Sequence, residues 1–324
     1  MGDPGGIGPE VVVKALSEAK LREWAHFTVF GAVGPLERAA RAASVACPIP
    51  GVRVVALPTD EQSFSNTHNA TAGKLSFDFV EMAIAAAKLP PSHPDHVEAV
   101  VTGPISKEAW AMAGHRYPGH TELFAERFGS ERYGMMFYAP PSPSWPSLNA
   151  ILVTTHLPLA KVPAAITQER VLETIRLGDE AMKRLGHASP RIAVCGLNPH
   201  AGESGLLGTE DAEVIGPAIA QAQAQGIDAR GPFPGDTIFV KALQGPGHTP
   251  EFDLVVAMYH DQGLAPVKLI ARDRTVNVTV GLPAVRTSPD HGTAFDIAGK
   301  NIADPGSMIA AIELAIRMCK PSNP

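Results

Sequence analysis

Leu254-Val255-Val256-Ala257-Met258-Tyr259-His260-Asp261-Gln262-Gly263 is the stretch from which the fold can be read. Its first five residues are apolar and include two β-branched valines. A run that short and that uniform reads as a strand buried on both faces. The chain then turns polar and reaches a glycine, so the strand ends in a loop carrying an imidazole and a carboxylate. The same order recurs upstream. Residues 149–153 run into Thr154-Thr155-His156, and residues 191–195 run into Gly196-Leu197-Asn198-Pro199-His200. Further short runs at 26–30, 52–57, 99–102 and 276–280 read as strands. Longer stretches at helical spacing lie between them, at 9–19, 35–43, 72–88, 106–113, 121–128, 168–185, 212–225 and 307–318. Pro9 and Glu10 suit a first helical turn, and Thr167 suits an N-cap. Alternating strand and helix predicts an α/β fold with a largely parallel sheet covered on both faces. In such sheets ligands bind beyond the carboxyl ends of the strands, where the three histidines stand.

Composition narrows the function classes. The chain has 324 residues and a mass of 34.1 kDa, which at roughly 150 residues per domain means two domains or one large one. Hydrophobic residues make up 45% and charged residues 19%, a globular balance that excludes disorder. No apolar run is long enough for a membrane-spanning helix, so no membrane partner is expected. Met1-Gly2-Asp3-Pro4 has no basic or apolar leader character. Cys47, Cys195 and Cys319 cannot build a disulfide framework, so the expected compartment is the reducing cytoplasm. A net charge of −6 argues against nucleic acid as the partner. Proline, at 30 residues, stands at close to double its usual share of about 5%. It punctuates the chain at Gly103-Pro104, Pro118-Gly119, Asn198-Pro199, Pro234-Gly235, Leu282-Pro283 and Asp304-Pro305, which marks loops of fixed shape.

Four constellations could carry chemistry. His156, His200 and His260, gathered at strand ends, would give a three-histidine metal site with open positions for substrate. Asp261 beside them could orient a ligand or move a proton. Spacing alone leaves polar loop residues as the other reading. Gly119-His120-Thr121-Glu122 opens a helix, so His120 and Thr121 would face an anion together with the helix N-terminus. Lys268, Asn277 and Arg286 recur nine residues apart and could add to an anion site, or be solvated charges. Gly2-Asp3-Pro4-Gly5-Gly6-Ile7-Gly8-Pro9-Glu10 leads glycines into a helix and could expose amides to an anion, but it lacks the Gly-Lys-Ser/Thr of a P-loop, and a tight turn feeding a helix is the favoured reading. In His291-Gly292-Thr293-Ala294-Phe295-Asp296-Ile297-Ala298-Gly299, Asp296 could accept hydrogen bonds from the ribose hydroxyls of NAD and repel the 2′-phosphate of NADP. A helix-capping loop, with Asp304 and Ser307 as caps, is the competing reading.

These motifs, with Val101-Thr102-Gly103-Pro104-Ile105-Ser106-Lys107, Asn198-Pro199-His200-Ala201-Gly202-Glu203, Gly235-Asp236-Thr237 and Arg286-Thr287-Ser288, stand in family order. Over nearly its whole length the chain resembles the 4-hydroxythreonine-4-phosphate dehydrogenase family of vitamin B6 biosynthesis. The loop 291–299 also resembles the adenosine-binding loop of isocitrate and isopropylmalate dehydrogenases. The resemblance implies two α/β/α domains of isocitrate/isopropylmalate dehydrogenase-like type with a cleft between them. Residues 1–115 plus 285–324 would form the first, discontinuous domain, and 116–284 the second, carrying the metal ligands and the dimer contacts. It implies a homodimer whose active site is completed at the subunit interface. It implies His156, His200 and His260 as ligands of a divalent metal, zinc first, with cobalt or magnesium as substitutes. His120, Thr121, Lys268, Asn277 and Arg286 would hold a phosphorylated substrate, and Gly292 and Asp296 would hold NAD or NADP. The implied reaction oxidises 4-phosphooxy-L-threonine to 2-amino-3-oxo-4-phosphooxybutanoate, which decarboxylates to 3-amino-2-oxopropyl phosphate. Lys268, Asp236 and Asp261 are the candidate bases. A sister dehydrogenase acting on threonate or erythronate 4-phosphate, or another hydroxy acid, is the alternative. A transferase of the phosphate acyltransferase kind would need neither the three-histidine set nor the adenosine loop. Family members carry a strand ahead of the Gly-Asp-Pro motif where this chain has only Met1, so either the start lies upstream or that strand is missing.

Overall fold

The computed structural model describes residues 1–59, 64, 66–244 and 249–320. Among them the chain forms ten strands: β1 (Phe27–Gly31), β2 (Val52–Ala56), β3 (Ala99–Val101), β4 (Gly134–Ala139), β5 (Leu148–Leu152), β6 (Ile192–Cys195), β7 (Ala229–Phe233), β8 (Leu254–Ala257), β9 (Val276–Val280) and β10 (Val285–Pro289). It separates into two compact units, Met1–Glu131 with Leu282–Cys319, and Arg132–Gly281. The sequence reading puts the crossings near residues 116 and 285. The observed first crossing is later, so helix His120–Phe128 belongs with the first unit.

In the first unit β1 pairs with β2 and β3 with β10, both in parallel. Helix Gly8–Ser17 starts with proline in its first turn and buries Val11, Val12, Val13, Ala15 and Leu16. Apolar on nearly every face, it lies inside a core with Leu21, Val29, Leu36, Met308 and Ile312. Helix Ala70–Ala87 is capped by Asn69, whose side chain accepts from Thr71 N and Ala72 N. A Cβ at Gly73 would lie 2.1 Å from Ala109 O, so only glycine lets the segment 107–112 pack so closely.

The second unit holds six strands in the order β9-β4-β5-β8-β6-β7. β5, β8, β6 and β7 are parallel neighbours. β4 runs antiparallel to both β5 and β9, so the sheet is mixed where the sequence predicted a largely parallel one. β4 reads Gly-Met-Met-Phe-Tyr-Ala and is buried throughout; without β-branched residues or alternation it gives no strand signal. Glycine and proline inside β7 mimic a turn. β10, Val-Arg-Thr-Ser-Pro, looks polar yet is wholly buried. Thr167 caps helix Gln168–Arg184 as expected, accepting from Arg170 N. Phe137, Leu152, Val255, Ala257, Leu264 and Val267 form the core that carries the strand ends. No described helix is long and apolar enough to cross a membrane.

Candidate active site

His156 and His260 come together because the ladder between β5 and β8 continues past both strands. Val153 N donates to Ala257 O (2.9 Å), and the backbone N (3.2 Å) and hydroxyl (2.8 Å) of Thr154 both donate to Met258 O. The two imidazoles end 5.7 Å apart between ring centroids. His260 opens helix His260–Ala271, a segment that is not among the helices expected from the sequence. A Cβ at Gly263 would meet Leu152 Cδ2 at 2.5 Å, so the glycine permits close packing on β5. The carboxylate of Asp261 accepts from His260 Nδ1 at 2.7 Å, which fixes the ring and leaves Nε2 for a ligand. Gln262 ties the ends of β8 and β6: its Oε1 accepts from Met258 N and its Nε2 donates to Gly196 O.

His200 stands in an unusual turn. Residues 200–204 have φ of 53, 52, 81, 44 and 57°, a left-handed run in which only Gly202 is glycine. Each non-glycine residue there costs about 1–2 kcal/mol, so the turn must be held from outside. Asp211, 2% exposed, accepts from Leu197 N (2.8 Å), Asn198 N (3.2 Å) and Asn198 Nδ2 (2.9 Å). Within the turn, Glu203 Oε2 accepts from His200 Nδ1 at 2.8 Å, again leaving Nε2 outward. His200 is not part of the His156–His260 pair. Among the described residues no group of three His, Cys, Asp or Glu side chains is placed to hold a metal ion. The donor set does fit in part: two adjacent imidazoles, one oriented by a carboxylate, match the ligand chemistry of a borderline divalent cation.

In the first unit a polar cluster forms at the start of helix His120–Phe128, where Gly119 offers no side-chain cap to the amides. Thr121 is buried there, and His120 lies edge-on to Trp110 with centroids 5.4 Å apart. His120 Nε2 is buried with no hydrogen-bond partner among the described residues. Arg286, 2% exposed on β10, donates from Nη2 to Thr102 Oγ1 at 2.7 Å and lies over the Phe124 ring. Burial pushes the guanidinium down to about 9, so it stays cationic at neutral pH. Burial, then Arg286, the Met1 ammonium and Lys107, hold His120 well below the ordinary histidine range. His120 is therefore a neutral donor or acceptor. A depressed folded-state pKa contributes stability that is present above the unfolded value near 6.5 and is lost as pH falls below it. Between pH 7 and 5, urea denaturation of His120→Gln should lose about 1 kcal/mol less stability than the wild type. Identical acid slopes would show that His120 is not a buried neutral ring.

The other expected positions lie on several different elements. Lys268 lies exposed on helix His260–Ala271, and Asp236 lies exposed in the turn ahead of helix Ile238–Leu243. Asn277 on β9 has a buried Oδ1 with no hydrogen-bond partner among the described residues. Gly292 and Asp296 are exposed on a turn braced by Asn66, which donates to Ala298 O, and by His68 against Phe295. Nothing lies within 4 Å of a Cβ at Gly292, so this turn is open on that side. The opening glycines form the tight turn into a helix that the sequence favours over an anion cradle. Residues 2–10 are buried, Ile7 N donates to Thr293 O, and a Cβ at Gly6 would meet that oxygen at 2.8 Å. Their amides serve packing, not an open anion site.

The family model for the pyridoxal phosphate biosynthetic protein PdxA matches residues 14–315. The chain belongs to the PdxA family. A 4-hydroxythreonine-4-phosphate dehydrogenase from Geobacter metallireducens is 44% identical, over 99% of this chain and 94% of its own. A D-threonate 4-phosphate dehydrogenase from Cupriavidus necator is 42% identical, over 98% and 96%. The crystal structure of 4-hydroxythreonine-4-phosphate dehydrogenase from Klebsiella pneumoniae superposes with a TM-score of 0.82 at 38% identity, covering 99% of this chain and 98% of that one.

In this PdxA-family chain the supporting residues are the ones sequence reading misses. Asp211 and Gln262 act through backbone groups 13 or 14 and 66 residues away, respectively, at hydrogen-bonded range. No local pattern announces such contacts. The only textual hint is that each lies close to a motif histidine or its asparagine.

Proposed function

We propose that the chain oxidises the C3 hydroxyl of 4-phosphooxy-L-threonine with NAD or NADP, giving 2-amino-3-oxo-4-phosphooxybutanoate, which then loses CO2 to yield 3-amino-2-oxopropyl phosphate. The observation that carries this reading is the buried pocket of Arg286, His120 and Thr121 at an uncapped helix N-terminus, in a chain whose relatives are named dehydrogenases of phosphorylated substrates. Arg286 and the helix amides bind the phosphate by charge-assisted hydrogen bonds. Neutral His120 adds one more without a competing charge. Lys268 and Asn277 bind the remainder of the substrate.

His156 and His260 would hold a divalent cation, zinc first, with cobalt or magnesium as substitutes; His200, which stands outside that pair in this structure, is the third ligand that the family resemblance implies, in a homodimer whose interface completes the active site. Such a cation supplies Lewis-acid chemistry, easing negative charge on the substrate oxygen. A base from Asp261, Asp236 or Lys268 takes the hydroxyl proton as hydride leaves C3 for the nicotinamide. Asp261 already orients His260, which makes it the best placed of the three. The turn bearing Gly292 and Asp296 holds the dinucleotide, and the Asp296 carboxylate favours NAD over NADP. The cytoplasm is the compartment that fits three cysteines outside any disulfide.

The second reading is oxidation of D-threonate 4-phosphate, favoured by the comparable identity of the Cupriavidus necator relative. A panel of 4-phosphooxy-L-threonine, threonate 4-phosphate and erythronate 4-phosphate with NAD and NADP separates the two. NADH formation should favour 4-phosphooxy-L-threonine by about tenfold or more in kcat/KM, equivalent to about 1.4 kcal/mol. The reverse ratio would move the assignment to the sister substrate.

A further inference from the structure

The first unit holds a cation that the reaction as stated does not use. Ser106 caps the segment Lys107–Met112, accepting from Ala109 N at 3.0 Å, and is itself hydrogen-bonded to His68 Nδ1 at 2.7 Å. This fixes Lys107 at the first helical position, with its side chain exposed. The side chain runs toward the anion pocket: a Cβ built at Gly119 would lie 3.6 Å from Lys107 Cε and 3.8 Å from Nζ. Gly119 immediately precedes His120, at the uncapped start of helix His120–Phe128. Lys107 makes no ion pair with any described residue, and its charge is felt at the buried His120 ring together with that of Arg286.

The charge count at the pocket gives Lys107 its meaning. Glu122 also faces this place, with Oε2 3.6 Å from the same Cβ point, and its charge is felt by Arg286. Arg286 and Glu122 together are neutral. His120 is uncharged. The Met1 ammonium also acts on His120, but burial pushes it down to about 5, so it adds no charge at neutral pH. Without Lys107 the pocket offers Arg286 and the helix amides as donors but no net positive charge, and a phosphate monoester carries about −1.5 to −2 at neutral pH. We propose that Lys107 is a substrate-binding residue, the cation that makes this pocket net positive and lets it select a phosphate dianion over a carboxylate monoanion. An ammonium suits this role, because its flexible stem can follow the ligand as a point charge while the buried guanidinium fixes orientation.

The inference rests on the reading of this pocket as the phosphate site. Titration calorimetry with inorganic phosphate, on the full chain, tests both and tells them apart. Wild type, Lys107→Met, Lys107→Arg and Arg286→Met are compared, with acetate as the monoanion. Lys107→Met should weaken phosphate binding by about 10- to 100-fold while changing acetate binding less than about threefold, and Lys107→Arg should recover most of the loss. The same variant should narrow the KM difference between 4-phosphooxy-L-threonine and unphosphorylated 4-hydroxy-L-threonine. Undiminished phosphate affinity in Lys107→Met, alongside loss in Arg286→Met, would overturn the role of Lys107 and leave the pocket standing. Absence of phosphate binding to the wild type would overturn the pocket and Lys107 together. Lys107 is exposed at a helix start, so unfolding of the variant is not expected, and a thermal melt on each sample verifies this.

Discussion

Arg286→Met is expected to lower kcat/KM for the phosphorylated substrate by about a hundredfold to ten-thousandfold, mostly through KM. The guanidinium is 2% exposed and already committed to Thr102 on one side. Removing one member of a buried, hydrogen-bonded charge pair with the phosphate costs about 3–5 kcal/mol, and each 1.4 kcal/mol is tenfold. Arg286→Lys should recover only part of the loss, because an ammonium cannot donate to Thr102 and to a phosphate in the same planar fork. The free protein need not suffer greatly, since holding a guanidinium in so buried a place is itself unfavourable. Melting should therefore move little, or upward, while turnover collapses. An activity loss under about fivefold, or a parallel loss of folding, would remove Arg286 from substrate binding.

Asp211→Ala should be the most damaging change in the second unit. It deprives Leu197 N and Asn198 N of their acceptor, and leaves Asn198 Nδ2 with Glu210 alone, in a partly buried place. It also releases a turn in which His200, Ala201, Glu203 and Ser204 are held left-handed. Lost acceptors cost about 1–3 kcal/mol each when the donors stay dry, so a net destabilisation of about 3–4 kcal/mol is expected in urea. Amide exchange at residues 197–204 should accelerate before the rest of the unit. Zinc affinity should fall by about tenfold or more, because the His200 side chain loses its fixed direction. A variant within about 1 kcal/mol of wild type, with those amides still protected, would show that the turn is held by something else.

Much of this fold is legible in residue order, and the exceptions have physical causes. Buried parallel strands such as Leu254–Ala257 and Ile192–Cys195 announce themselves, because both faces need apolar residues and the loops beyond need glycine or proline. Helix His260–Ala271 does not, because Gly263 is demanded by contact with Leu152 and overrides its poor helix propensity. β4 hides for the opposite reason, being so thoroughly buried that no alternation remains. In the candidate site, His156 and His260 stand out as strand-end residues. Their pairing depends on β5 and β8 being neighbours, a matter of sheet order that a separation of 104 residues in the chain does not reveal. Arg286 shows the limit of composition arguments. An arginine among threonine and serine reads equally as solvated, and only its place on a buried strand decides otherwise.

The most direct test strips the purified chain of metal with EDTA, restores zinc, cobalt or magnesium, and follows NADH formation from 4-phosphooxy-L-threonine and NAD. Turnover should vanish on stripping and return with the divalent ion. Undiminished turnover in the stripped protein, or no reduction of NAD with any phosphorylated hydroxy acid under either condition, would contradict a metal-assisted dehydrogenase.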